Sequence, residues 1–143
     1  MIERAEITDH PVLVTIWEAS VRASHHFLPE DYLQKIKTLL PEIFPGVNVF
    51  VHRNDDGLIT GFLGVSDDKI EMLFIDPQHM RKGIGMQLTR FAIDELKMRA
   101  VDVNEQNDEA LRFYQHMGFV VTKRNDVDGL GKPFPILEMQ LKQ

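Results

Sequence analysis

Two stretches near the start of the chain carry apolar residues at helical spacing. From Asp9 to Ser24 the stripe is Val12, Leu13, Ile16 and Val21; from Glu30 to Phe44 a second amphipathic helix is predicted, with Pro41 expected to bend it. The pattern then changes to strands. Val47 to Val51 and Leu58 to Val65 flank Asn54-Asp-Asp-Gly57, a strong hairpin turn, and Lys69 to Asp76 follows as a third strand. Beyond Gly83, the residues Ile84, Leu88, Phe91, Ala92 and Leu96 form one stripe of a helix that buries against a sheet. Arg99 to Val103 is a short buried strand, and Asn107 to Phe119 a further helix. Asn107 suits its N-cap, Asp108 and Glu109 its first turn, and Gly118 the left-handed residue past its end. Phe119 to Lys123 and Ile136 to Leu141 close the sheet. The predicted order is ααβββαβαββ, a mixed α/β fold with a central twisted sheet and helices on both faces.

The junction from Phe74 through Met80-Arg-Lys-Gly83-Ile-Gly85 to Leu88 joins an apolar strand to a helix by way of a basic, glycine-bearing turn. Unpaired N–H groups from Arg81 to Met86 and the helix dipole favour an anion there, and Gly83 and Gly85 let a pyrophosphate approach the backbone. A dinucleotide fingerprint is excluded, because Leu88 stands where its third glycine or alanine belongs. A Walker A loop is excluded too: Gly129-Leu-Gly-Lys132 lacks the required gap and is followed by Pro133.

Strand, basic Gly-x-Gly turn, helix and strand are followed by Asn107-x-x-Ala110-x-x-Phe113-Tyr114-x-x-x-Gly118-Phe119. This succession resembles the GNAT superfamily of acetyl-CoA-dependent N-acetyltransferases, and from Ile70 to Phe119 it covers that family's cofactor-binding half. Trp17-x-x-Ser20, His25-x-Phe27-Leu28, Val103-Asn-Glu-Gln-Asn107 and Asp128-x-Leu-Gly-Lys-Pro133-Phe-Pro135 are similar to small bacterial members and extend the likeness over nearly the whole chain. The resemblance implies a sheet of about six to seven strands in which the third strand and the Ala100 strand splay apart to admit pantetheine. It also implies that acetyl-CoA contacts Leu73, Phe74, Ile75, Arg81, Lys82, Gly83, Ile84, Gly85, Met86, Asn104, Asn107 and Phe113. The chain departs from the family at Met80, where the phosphate loop usually starts with Arg or Gln. Arg81 then either crowds the pyrophosphate or reaches a phosphate oxygen.

Composition narrows the setting. A chain of 143 residues, 43% hydrophobic, suits a single domain spanning 1–143. Zero cysteines exclude disulfides, a Cys nucleophile and Cys-ligated metal. The net charge of −6 disfavours nucleic acid and favours a cationic amine. No signal-peptide pattern and no apolar run of membrane length are seen, so a cytoplasmic protein is expected. The expected partner is a small-molecule or peptide amine, with a homodimer left open. His25-His26 lacks metal spacing, and no metal is expected.

An amine of pKa about 10 is only about one part in a thousand neutral at pH 7, so it must lose a proton before attacking a thioester. In the family's arrangement Glu71 lies beside the acetyl group, and burial next to Met72 and Leu73 is expected to raise its pKa. His25, where the acceptor pocket begins, is the second candidate as base or substrate contact. Trp17, Phe27 and Phe134 are expected to line that pocket. Tyr114 resembles the family's general acid, supplying a proton to the leaving thiolate. The rival expectation is a non-catalytic acyl-CoA-binding or sensing domain, in which Glu71 and Tyr114 are structural.

Overall fold

Both N-terminal apolar stripes form helices in the computed structural model, which describes residues 1–142: α1 (His10–Ser24) and α2 (Glu30–Ile43). Pro41 lies in the last turn of α2, so it removes the hydrogen bond to the Lys37 carbonyl close to the end of the helix, where few further bonds depend on it. The strands are β1 (Ile2–Arg4), β2 (Asn48–Arg53), β3 (Ile59–Ser66), β4 (Lys69–Ile75), β5 (Ala100–Asn104), β6 (Phe119–Asn125) and β7 (Ile136–Leu141). Helices α3 (Ile84–Asp94) and α4 (Asp108–His116) are interleaved with them. The expected order is found with one addition. β1, only three residues long with two of them charged, carries no readable periodicity; it exists because it pairs with β2, Ile2 opposite His52 and Arg4 opposite Phe50.

The seven strands form one sheet in the order β1-β2-β3-β4-β5-β7-β6. Every pairing is antiparallel except β4 with β5. One face packs on α3 and α4 through Leu63, Ile70, Leu88, Val101, Phe119 and Met139; the other packs on α1 and α2 through Leu13, Trp17, Phe44, Phe62 and Met72. Burying each such side chain contributes about 1.5–3 kcal/mol.

β4 carries the decisive irregularity. Gly64 pairs with Met72 and Val65 with Ile70, so Glu71 is an extra residue, a β-bulge. The parallel ladder between β4 and β5 consists of Lys69 with Ala100 and Ile70 with Val101, and ends at the residue before the bulge. Beyond it the two strands separate. On the far side, a buried network holds α3 to the sheet: His52 Nδ1 lies 2.8 Å from Thr60 Oγ1, and its Nε2 lies 3.1 Å from Gln87 Oε1.

Candidate active site

The chain leaves β4 through a single 3₁₀ turn, Pro77–His79, whose N-cap Asp76 accepts a hydrogen bond from Gln78 N at 3.0 Å. Arg81 and Gly83 then adopt left-handed conformations, φ +64° and +79°. For glycine this costs nothing, but for arginine it costs about 1 kcal/mol or more, and such strain concentrates at functional loops. Gly83 is the N-cap of α3 and offers no side chain to the first turn, so the free N–H groups of that turn face outward. A Cβ on Gly83 would meet nothing within 4 Å, which leaves an open cradle in front of the helix. Among the described residues, the Arg81 guanidinium makes no ion pair or hydrogen bond. Lys82 Nζ lies 3.4 Å from His79 Nδ1.

The cradle opens into a cavity of about 410 Å³, within the range of cofactor sites. Leu73, Phe74, Ile75, Arg81, Gly83, Ile84, Gly85, Met86, Asn107 and Phe113 all line it, as the resemblance implies. Two of the expected contacts are not part of the wall: Lys82 is exposed on the same loop, and Asn104 lies at the end of β5 away from it. Apolar walls leading from an uncapped, basic helix start suit a ligand with a phosphate-bearing end and an apolar arm, so the residues present fit coenzyme A.

A smaller cavity of about 100 Å³ occupies the gap between β4 and β5, walled by Ile70 to Phe74 and Val101 to Asn104. The two cavities share His25, Leu73, Phe74, Asn107, Ala110 and Tyr114, and those residues mark their junction.

Two polar groups at the junction are held by local structure. Asn107 caps α4, its Oδ1 accepting from Ala110 N at 3.1 Å, which leaves Nδ2 pointing at His25 Nε2, 3.4 Å away. Ser24 Oγ donates its single proton to Ser20 O at 2.8 Å, so His25 Nδ1–H is the donor in its 2.8 Å contact with Ser24 Oγ. His25 Nε2 therefore presents a lone pair. Burial, reinforced by the neighbouring His26, pushes the His25 pKa down to about 4, and the imidazole is neutral at pH 7.

Tyr114 is 7% exposed and meets Phe113 and Phe119 edge to face, with ring centroids 5.2 and 5.7 Å away. Among the described residues its hydroxyl has no hydrogen-bond partner, although its ring lies at the junction. Burial raises its pKa, so the phenol keeps its proton.

Other expectations need correction. Glu71 is exposed rather than buried, because the bulge gives it a place outside the ladder; its Oε1 accepts from Ser66 Oγ at 3.0 Å while it still lines the smaller cavity. Trp17 is 4% exposed and packs against Phe74 in the α1/α2 core, lining neither cavity. Phe27 and Phe134 also line neither. They form an aromatic row from His25 to Phe27 (5.3 Å), Phe27 to Phe134 (6.1 Å) and Phe134 to Tyr32 (5.2 Å, stacked). The Tyr32 hydroxyl donates to Asp128, fastening the β6–β7 loop to α2. Asp102 and Glu109 line the cavities but were not anticipated. Asp102 was accessible in principle, from the alternation of β5.

A parallel strand pair that parts at a bulge, fed by an uncapped glycine start to a helix, defines a transferase that takes an acyl group from a coenzyme A thioester. Residues 19–141 match the acetyltransferase (GNAT) domain family, and the chain belongs to it. It is 36% identical over 138 residues to the peptidyl-lysine N-acetyltransferase YjaB of Salmonella typhimurium, covering 96% of this chain and 95% of that protein. The solution structure of apo-form YjaB from Escherichia coli superposes with a TM-score of 0.91 at 36% identity, covering 98% of this chain and 95% of that one. The fold is shared more distantly by the PaiA N-acetyltransferase of Thermoplasma acidophilum in complex with coenzyme A, with a TM-score of 0.74 at 22% identity over 100% and 98% of the two chains. The protein is an acetyl-CoA-dependent N-acetyltransferase, and a purely sensory role is set aside. No helix of the described residues is long and apolar enough to cross a membrane.

Proposed function

We propose that this enzyme acetylates the side-chain amine of lysine in a peptide or protein. The observation that carries the reading is the meeting of the two cavities at Tyr114, His25 and Asn107. The 36% identity to a protein named a peptidyl-lysine N-acetyltransferase supports the choice of acceptor. So does the net charge of −6, which favours a cationic substrate. A cytoplasmic location accompanies this reading.

When bound, acetyl-CoA supplies the thioester carbonyl carbon that the amine attacks. Arg81 and the α3 amides hold the phosphates, while Leu73, Phe74, Ile75 and Phe113 pack along the arm. With no cysteine in the chain, transfer is direct, without an acetyl-Cys step. A lysine amine of pKa about 10.4 is almost wholly charged at pH 7. Glu71, at the open side of the smaller cavity, takes its proton and passes it to solvent. Tyr114 Oη holds the proton required by the departing sulfur. One C–N bond forms as one C–S bond breaks. The acylated nitrogen, left with one proton too many, releases it, and that proton restores the Tyr114 phenol, so the products are a neutral amide and a free thiol.

His25 is a poor base, since a group with pKa about 4 holds protons too weakly. Its lone pair orients Asn107 instead.

The test offers acetyl-CoA with three short peptides: one with a blocked N-terminus and free lysine, one with a free N-terminus and no lysine, and one with neither amine. Mass spectrometry should find one added acetyl group on the lysine peptide alone. In Glu71→Gln the turnover of that peptide should fall about 10²-fold, the usual contribution of a general base. Acetylation confined to the free N-terminus would overturn the acceptor assignment, and unchanged turnover in Glu71→Gln would remove Glu71 as base.

A further inference from the structure

Asn104 ends β5 and carries the only buried side-chain oxygen among the described residues that lacks a hydrogen-bond partner, Oδ1. A buried acceptor left unmatched is unfavourable and rare, and calls for a donor supplied by something else. Its position indicates which donor. Val101 and Val103 point into the α3/α4 core, so alternation along β5 puts Asp102 and Asn104 on the opposite face, the side of α1.

The polar residues that line the smaller cavity and not the larger one are Glu71, Asp102 and Asn104. Glu71 Oε1 is engaged by Ser66 at 3.0 Å and Asp102 Oδ2 by Lys69 at 2.9 Å. Asn104 Oδ1 alone awaits a donor. Because Asn104 is absent from the wall of the larger cavity, the phosphates and upper arm of acetyl-CoA do not supply it.

We infer that Asn104 is a positioning residue for the acceptor, its Oδ1 receiving an N–H of the lysine amine. This rests on the lysine-acetylation reading above. After losing one proton the amine nitrogen has two N–H bonds and one lone pair. Giving one N–H to Asn104 fixes the rotation of the nitrogen, and with it the direction of the lone pair, before attack. Asn104 also favours a group that brings an N–H or O–H donor over one that is acceptor-only, since a carbonyl oxygen placed against Oδ1 would leave both unmatched.

Asn104→Leu keeps the approximate shape and removes the oxygen, and the fold, which does not use that oxygen, should be retained with an unchanged or higher melting temperature. The Michaelis constant for the lysine peptide should rise at least about tenfold, with the dissociation constant for acetyl-CoA held within about twofold. Asn104→Ala, measured in parallel, should show the same split, and it decides the matter if the leucine variant does not fold. Weaker acetyl-CoA binding with an unchanged peptide Michaelis constant would overturn the inference by making the thioester arm the missing donor. A lower melting temperature with unchanged kinetics would make Asn104 merely structural. If the wild-type enzyme acetylates the peptide and both variants do so equally well, this inference fails alone; if the wild-type enzyme does not, it fails together with the choice of lysine.

Discussion

Tyr114 concentrates the chemistry into one hydroxyl. Its ring is bound into the core by Phe113 and Phe119, yet among the described residues its Oη has no hydrogen-bond partner. Tyr114→Phe should therefore alter stability by less than about 1 kcal/mol, the worth of a typical hydrogen bond. Affinity for acetyl-CoA should hold, while kcat falls about 10²-fold if the phenol protonates the leaving sulfur. Turnover and calorimetry on the same folded sample decide it, and equal turnover would move the donor to water. Asn107 was legible in the sequence as a cap because capping is local, and Tyr114 as a candidate through the likeness of the Phe113-Tyr114 pair to the family. His25 was legible only as a candidate. Its tautomer depends on Ser20 and Ser24, and its contact with Asn107 spans 82 residues of chain, which no local pattern encodes. Glu71 misled because apolar neighbours suggest burial, whereas a bulge changes which way a residue faces.

The element that makes the cofactor site is the turn into α3. Gly83 has a φ of +79°, so Gly83→Val meets two penalties, a left-handed β-branched residue and a side chain in the open cradle. Acetyl-CoA affinity should fall at least about tenfold, or 1.4 kcal/mol. Calorimetry on a variant whose folding has been checked gives the answer; unchanged affinity would remove the loop from the site. The glycine spacing announced this turn, helical periodicity announced α1 through α3, and cap residues announced α4. β1 remained hidden because three residues show no period, and so did the bulge, because register is a property of two strands together. The aromatic row is a similar case. Phe27 and Phe134 were recognisable as aromatic candidates, but only the fold shows them joined to Tyr32 and fastening the β6–β7 loop instead of lining a cavity.

Across the whole molecule, the separation of β4 from β5 turns a continuous sheet into a cleft, and α3 brings a phosphate cradle to one end of it. The His52–Thr60–Gln87 network fixes α3 against β2 and β3, so the cradle and the cleft keep their relation. The central claim is that acetyl-CoA enters this cleft along one path, from the Arg81–Met86 turn to the junction at Tyr114. Amide hydrogen exchange with and without acetyl-CoA tests it most directly. Slower exchange is expected for Arg81 to Met86, for the backbone of Leu73 to Ile75, and for the first turn of α4, with β1 and β6 at the sheet edges unchanged. Protection absent from the α3 turn, or centred on another face of the sheet, would contradict the account.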